Sequence, residues 1–212
     1  MQADMKTLAI DSALEVTAPP AGAGAPARKS ARDRIFDTAR AMFYRHGIRA
    51  VGVESIAAEA GATKMSLYRN FPSKDHLIAE VLKEQSREGW IWWDEVVGAF
   101  DTPREKLEGL FDAFACKSSG EEAQGCALCN AAVELHEPDH PAFLVAQQHK
   151  RETLRRLNEL SRAAGARDDE LGDGLMLLLE GSYMSRVTLM GDGPARMLPR
   201  AARALIREHL DH

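Results

Sequence analysis

The chain has 212 residues, 45% hydrophobic and 28% charged, enough for one domain or two small ones around a core that needs no staples. Three cysteines argue against a disulfide scaffold and suit a reducing, cytoplasmic setting; no apolar run approaches the ~18 residues of a membrane span, no basic-then-apolar leader opens the sequence, and little Val/Ile/Thr alternation speaks for an all-β fold. The net charge of -5 is uneven, with +5 on residues 28–83 against -2 before and -8 after, so a polyanion would meet the front segment alone.

The elements predicted along the chain are all α-helical. Residues 1–28 include Ala18-Pro19-Pro20-Ala21-Gly22-Ala23-Gly24-Ala25-Pro26 and are expected to be a disordered tail. Ser30 and Asp33 form a capping-box variant ahead of Ile35, Ala39, Met42 and Phe43 at helical spacing, and His46-Gly47 closes that helix. A short helix follows over 53–60, with Gly52 as its N-cap and Gly61 in left-handed geometry at its end. Thr63 caps a second short helix over 64–70; Pro72 stops it by holding Phe71 out of helical geometry. Ser73 caps a long helix over 74–97 that carries Leu77, Ile78, Val81 and Leu82. Further helices are expected over 103–117, 126–135, 140–164, 168–190 and 194–210, with no strand and no internal repeat.

Ala57, Gly61 and Leu67 have the spacing of a helix-turn-helix: a small residue where two helices cross, a glycine at positive φ four positions on, and an apolar residue six further that locks the second helix down. Ile56 adds a second anchor. A plain αα-corner that never meets DNA satisfies the same trio. The next string, Leu67-Tyr68-Arg69-Asn70-Phe71-Pro72-Ser73-Lys74-Asp75-His76-Leu77, resembles the signature of TetR-family transcriptional regulators. The stretch from Arg32 to His46 is similar to that family's first helix, and the resemblance spans about residues 31–82.

The resemblance implies a three-helix helix-turn-helix DNA-binding domain over 29–76 and an antiparallel helical effector-binding and dimerisation domain over 77–212. It implies a homodimeric repressor, not an enzyme, that binds a palindromic double-stranded DNA operator and is released by a small, largely apolar effector. With the helix from Lys64 in the major groove, Lys64 reaches base acceptors or a phosphate, Met65 a thymine methyl, Ser66 a phosphate, and Arg69 a guanine edge or the backbone. Thr63 is first a cap, with a hydroxyl that can also face phosphate. Tyr68 resembles the family's phosphate-bonding tyrosine, and Asn70 stands where many relatives carry histidine. Lys74 joins its cation to the amides at the start of the long helix. Leu67 and Phe71 are assigned to the core. Arg32, Arg45 and Arg49 suit either backbone contacts or a solvated face. Gly52 replaces the Ser or Thr usual in the family and removes one hydroxyl contact.

In the family the last two helices pair across a two-fold axis. Here Leu175, Met176, Leu178 and Leu179 offer an apolar face, and Gly174, Gly181, Ser182 and Ser185 allow close approach. The implied effector pocket would be lined by Trp90, Trp93, Phe111, Phe114, Phe143, Met176 and Tyr183. A CxxC at Cys126 and Cys129, followed by His136, His140 and His149, allows three readings: packing, a thiol pair with Cys126 at a helix N-terminus, or a zinc site. The last two would make the chain a thiol- or metal-responsive regulator on the same DNA-binding frame. The pattern Gly-Cys-x-x-x-Asn-Ala-Ala-x-Glu, from Gly125 to Glu134, resembles a stretch of one TetR subgroup that opens the sixth helix without metal. No Ser-His-Asp order, phosphate loop or HExxH occurs, so no cofactor, metal or catalytic residue is expected, and the pairs Glu121-Glu122 and Asp168-Asp169 are read as solvated.

Overall fold

The computed structural model describes residues 29–117, 125–189 and 193–211. They form α1 (Ala31–His46), α2 (Val53–Glu59), α3 (Lys64–Asn70), α4 (Lys74–Gly98), α5 (Pro103–Lys117), α6 (Ala127–Glu134), α7 (Pro141–Ala164), α8 (Glu170–Leu189), a 3-10 turn (Gly193–Met197) and α9 (Leu198–Leu210). Among the described residues there is no strand, and no helix there is long and apolar enough to cross a membrane. The tail expected over 1–28, the Glu121-Glu122 pair and Met190 lie outside the described residues.

Local chemistry sets the helix ends. The Ser30 hydroxyl accepts from the Asp33 amide at 3.1 Å and starts α1; Gly47, at φ +82°, ends it by donating to the Phe43 carbonyl. After α2, Gly61 sits at φ +59°. Its amide donates to the Ala58 carbonyl, and the Ala62 amide to the Ala57 carbonyl, at 3.1 and 2.9 Å. This pair of bonds is a Schellman motif, which satisfies the last carbonyls of the helix while reversing the chain. The last helix departs from expectation. It begins at Leu198 rather than 194, because Pro199 has no N–H and its ring would collide one turn upstream, so it is tolerated only within the first turn.

The described residues divide into two compact units. One holds 29–87 and 126–149. In its core Ile35, Ala39 and Phe43 of α1 meet Ile56 and Ala57 of α2, Leu67 of α3, Leu77, Ile78, Val81 and Leu82 of α4, and Leu128, Ala131 and Leu135 from α6 and its end. The other holds 88–117, Gly125, 150–189 and 193–211; there α9 packs on α5 and α8, and Leu107, Leu110, Phe111, Leu157, Leu171, Leu175, Ala202 and Ile206 are fully buried. The contacts thus group Cys126 to His149 with the N-terminal helices, whereas the sequence alone places everything after residue 76 in a second body. The apolar face of α6 is what carries it there.

Leu67, 0% exposed, is the one buried residue of α3. Replacing it with alanine should destabilise this unit by about 2–5 kcal/mol, the range for deleting a fully buried leucine side chain, read from denaturant unfolding.

Candidate nucleic-acid interface

Seven residues make α3, and at 100° per residue the position opposite Leu67 falls between Met65 and Arg69. Met65 is 73% exposed, Arg69 is exposed, and Tyr68 is 42% exposed beside them. The structure therefore brings Met65, Tyr68 and Arg69 onto the outer side of one short helix, while Lys64, also exposed, lies nearer the Leu67 side at its first turn. Among the described residues the Arg69 side chain has no hydrogen bond or ion pair.

Several predicted contacts, Lys64 among them, are already engaged within the protein, and Ser66 is half-buried. The Thr63 hydroxyl accepts from the Ser66 amide at 3.1 Å and caps α3. The Asn70 amide donates to the Ser66 carbonyl at 2.8 Å, so this side chain folds back onto its own helix. Lys64 pairs with Glu54 of α2, which raises the lysine pKa and lowers that of the carboxyl through their hydrogen bond. Lys74 Nζ donates to the Ile48 carbonyl at 2.7 Å. Partial burial pushes the Lys74 pKa down, against the pull of Asp75 and Glu134.

Several arginines hold the frame. Arg34 of α1 donates from Nε to the Ala60 carbonyl at 3.0 Å and from Nη2 to the Gly61 carbonyl at 3.4 Å, gripping the turn between α2 and α3. Arg32 lies over the Phe71 ring, 4.9 Å from its centroid, and pairs with Glu80. Arg45 is 3.9 Å from Glu59. Arg49 reaches the end of α6, with Nε on the Glu134 carbonyl at 2.7 Å. The sequence carries no sign of the Arg34 contact and shows Glu134 only as the end of the Gly125–Glu134 pattern, because neither sits in the motif it supports.

Of the residues nominated for an effector pocket, Trp90, Trp93, Phe111, Phe114, Met176 and Tyr183 gather in the core of the second unit, while Phe143 belongs to the first. Phe114 is the hub, with ring centroids 6.1 Å from Trp93, 5.9 Å from Phe111, 6.5 Å from Tyr183 and 5.0 Å from Trp92. Trp92, missed in the sequence, is 6% exposed, and among the described residues its buried indole N–H has no hydrogen-bond partner.

The dimer face needs correction. Leu175 and Leu179 are buried in their own unit, Gly174 abuts Leu205, and the Ser182 hydroxyl donates to the Leu179 carbonyl. The free apolar surface of α8 lies on the opposite side, where Leu177 (74% exposed), Gly181, Met184 and Thr188 share one strip. Cys126 is the N-cap of α6, and Cys129 lies in its first turn; both are half-buried. Among the described residues neither joins two further groups in a cluster able to hold a metal.

Residues 35–81 match the sequence model of the bacterial regulatory proteins of the tetR family. An 86-residue stretch, 40% of the chain, is 36% identical to the transcriptional repressor KstR2 of Mycolicibacterium smegmatis and covers 41% of that protein. The chain thus spans about two fifths of the length of the KstR2 repressors it matches. Two solved structures are similar over most of their length: SCO4454, a TetR-family regulator of Streptomyces coelicolor (TM-score 0.80, 25% identity, 84% of this chain and 95% of that one), and sav143 of Streptomyces avermitilis (0.75, 28%, 86% and 99%).

Lys64 must exchange Glu54 for a phosphate if it is to touch a duplex. Glu54→Gln removes that competitor, so binding to a random-sequence duplex at low salt should tighten by about threefold, measured by fluorescence anisotropy.

Proposed function

Since the chain belongs to the TetR family, we propose that it represses transcription from the cytoplasm as a homodimer on a palindromic operator and lets go when a small, largely apolar effector binds. The observation that carries this is the outer face of α3. A short helix held from beneath by Leu67, capped by Thr63 and gripped at its turn through Arg34 presents Met65, Tyr68 and Arg69 outward, where folding needs none of them. An α-helix fits the major groove, and a guanidinium there can donate two bonds to a guanine edge. The excess of basic residues over 28–83 suits the phosphate backbone.

Dimerisation is supported by the make-up of α8. One side of this helix is apolar and buried; the other is apolar and exposed, with a glycine between Leu177 and Met184 at which an added Cβ would meet only open space. A helix apolar on both sides calls for a second partner, and two reading helices on one face of a duplex require two-fold symmetry. Leu177→Asp should leave the fold intact and shift the protein to monomer, measured by sedimentation velocity.

The effector reading rests on the aromatic cluster around Phe114. Such a lining suits a small apolar molecule, and an acceptor on it would satisfy the buried Trp92 indole N–H. Its binding would favour the dimer conformation with the wrong spacing between the two reading helices.

Selection of bound sequences from a random DNA pool, followed by affinity against salt, tests the duplex reading. A palindromic preference and a steep fall of affinity with salt are expected. Arg69→Ala should cost about 1–3 kcal/mol on the selected sequence and relax the preference at one position, leaving random DNA nearly unaffected. Equal losses on both would remove Arg69 from base recognition.

A further inference from the structure

The pattern from Gly125 to Glu134 has no part in reading DNA, yet α6 is packed into the same unit as α1–α3. Its last residue shows why. The Glu134 carboxylate accepts from the Ile48 amide at 2.8 Å and from the Arg49 amide at 3.0 Å. In return Arg49 donates from Nε to the Glu134 carbonyl at 2.7 Å and from Nη2 to Glu137 at 3.1 Å. Arg49 thus satisfies a carbonyl left open at the end of α6, and Glu134 satisfies two amides of the α1–α2 turn, across 85 positions of sequence. The fit is close: a Cβ on Gly47 would lie 3.2 Å from the Glu134 carboxylate and would press on it, and the φ of +82° there independently favours glycine.

The peptide held in this way has a second client. Its carbonyl, on Ile48, accepts from Lys74 Nζ at 2.7 Å. Glu134, the Ile48 peptide and Lys74 therefore form one chain of hydrogen bonds from the end of α6 to the start of α4. The same turn leads through buried Val51 into α2, whose far end carries α3.

We propose that Glu134 is a positioning residue for DNA binding: through the Ile48 peptide it fixes the α1–α2 turn and orients Lys74 for the operator backbone, without touching DNA. This rests on the duplex reading above. Position, and not charge, is the quantity that matters, because a carboxylate beside a DNA-facing surface by itself repels phosphate.

Three variants separate the two. Glu134→Gln keeps the reach and an acceptor but loses the charge; Glu134→Asp keeps the charge but falls short of the amides; Glu134→Ala loses both. On the selected operator, Glu134→Gln should stay within about twofold of the original protein, while Glu134→Asp and Glu134→Ala weaken binding by about tenfold, the scale of leaving amide donors unpaired. The slope of affinity against salt should fall by about one for Glu134→Ala, matching Lys74→Ala, and the double variant should lose less than the product of the two single losses. Calorimetric unfolding of each variant shows that the protein assayed is folded. A folded Glu134→Asp that binds like the original while Glu134→Gln is weakened would overturn the proposal, as would losses for Glu134→Ala and Lys74→Ala that multiply in full. Should Glu134→Ala not fold, the order of the Gln and Asp variants decides alone. An original protein that selects no sequence and ignores salt overturns the duplex reading itself, a result visible before any variant is made.

Discussion

A seven-residue helix is too short to stand alone in water, and both α2 and α3 are of that length. Everything that keeps α3 in place therefore acts on its ends and its underside. Leu67 anchors it from below, Thr63 closes its first turn, extended Phe71 fills the core as the chain leaves, and the Schellman turn at Gly61 fixes its angle to α2. Arg34 adds two bonds to the same turn from α1. The consequence is a division of labour. Stability comes from the inner face, so the outer side chains are free to be chosen for what they touch.

The same economy governs charge. Residues 28–83 carry a net positive charge, but few of those cations stand idle. Arg32, Arg34, Arg49, Lys64 and Lys74 each hold a ring, a carbonyl or a carboxylate within the unit. Their long-range field still draws a polyanion, since ion pairing does not cancel net charge. Close contact is another matter: Lys64 must trade one partner for another, whereas Arg69, with no partner among the described residues, approaches a base edge at no such cost. In the proposed duplex complex, base reading would fall to Arg69 and Met65 for this reason more than for their position alone.

Much of this was legible in the sequence because its signals are local. Ser30, Thr63 and Ser73 mark helix starts within three residues of the amides they bond; Gly47, Gly61 and Pro72 mark the ends; and Ala57 and Leu67 sit at a spacing that two crossing helices demand. What escaped was long-range or two-sided. Nothing within a turn of Glu134 or Arg49 announces a clasp between them, and Arg34 looks like any surface cation on α1 until the turn it grips is folded beneath it. The leucines of α8 failed differently. Apolar residues surround that helix, so periodicity cannot tell the core side, with Leu175 and Leu179, from the outer side, with Leu177. Pro199 carries a start signal that helical periodicity over 194–210 does not register, since its ring fits only the first turn of α9.

The outer strip of α8 bears on how few base contacts suffice. One reading helix with two or three outward side chains distinguishes only a few base pairs, each worth about 1–3 kcal/mol. Two such helices on a rigid symmetric frame double that discrimination and fix the spacing between half-sites. The frame must be self-complementary, because in a two-fold interface the same strip meets itself. A strip of large, small and large residues at 177, 181 and 184 has that property: the recess at Gly181 faces outward, and the flanking Leu177 and Met184 have the bulk to fill a matching recess. A single copy gains nothing from leaving leucine and methionine in water, so the exposed strip suits the proposed pairing of two copies.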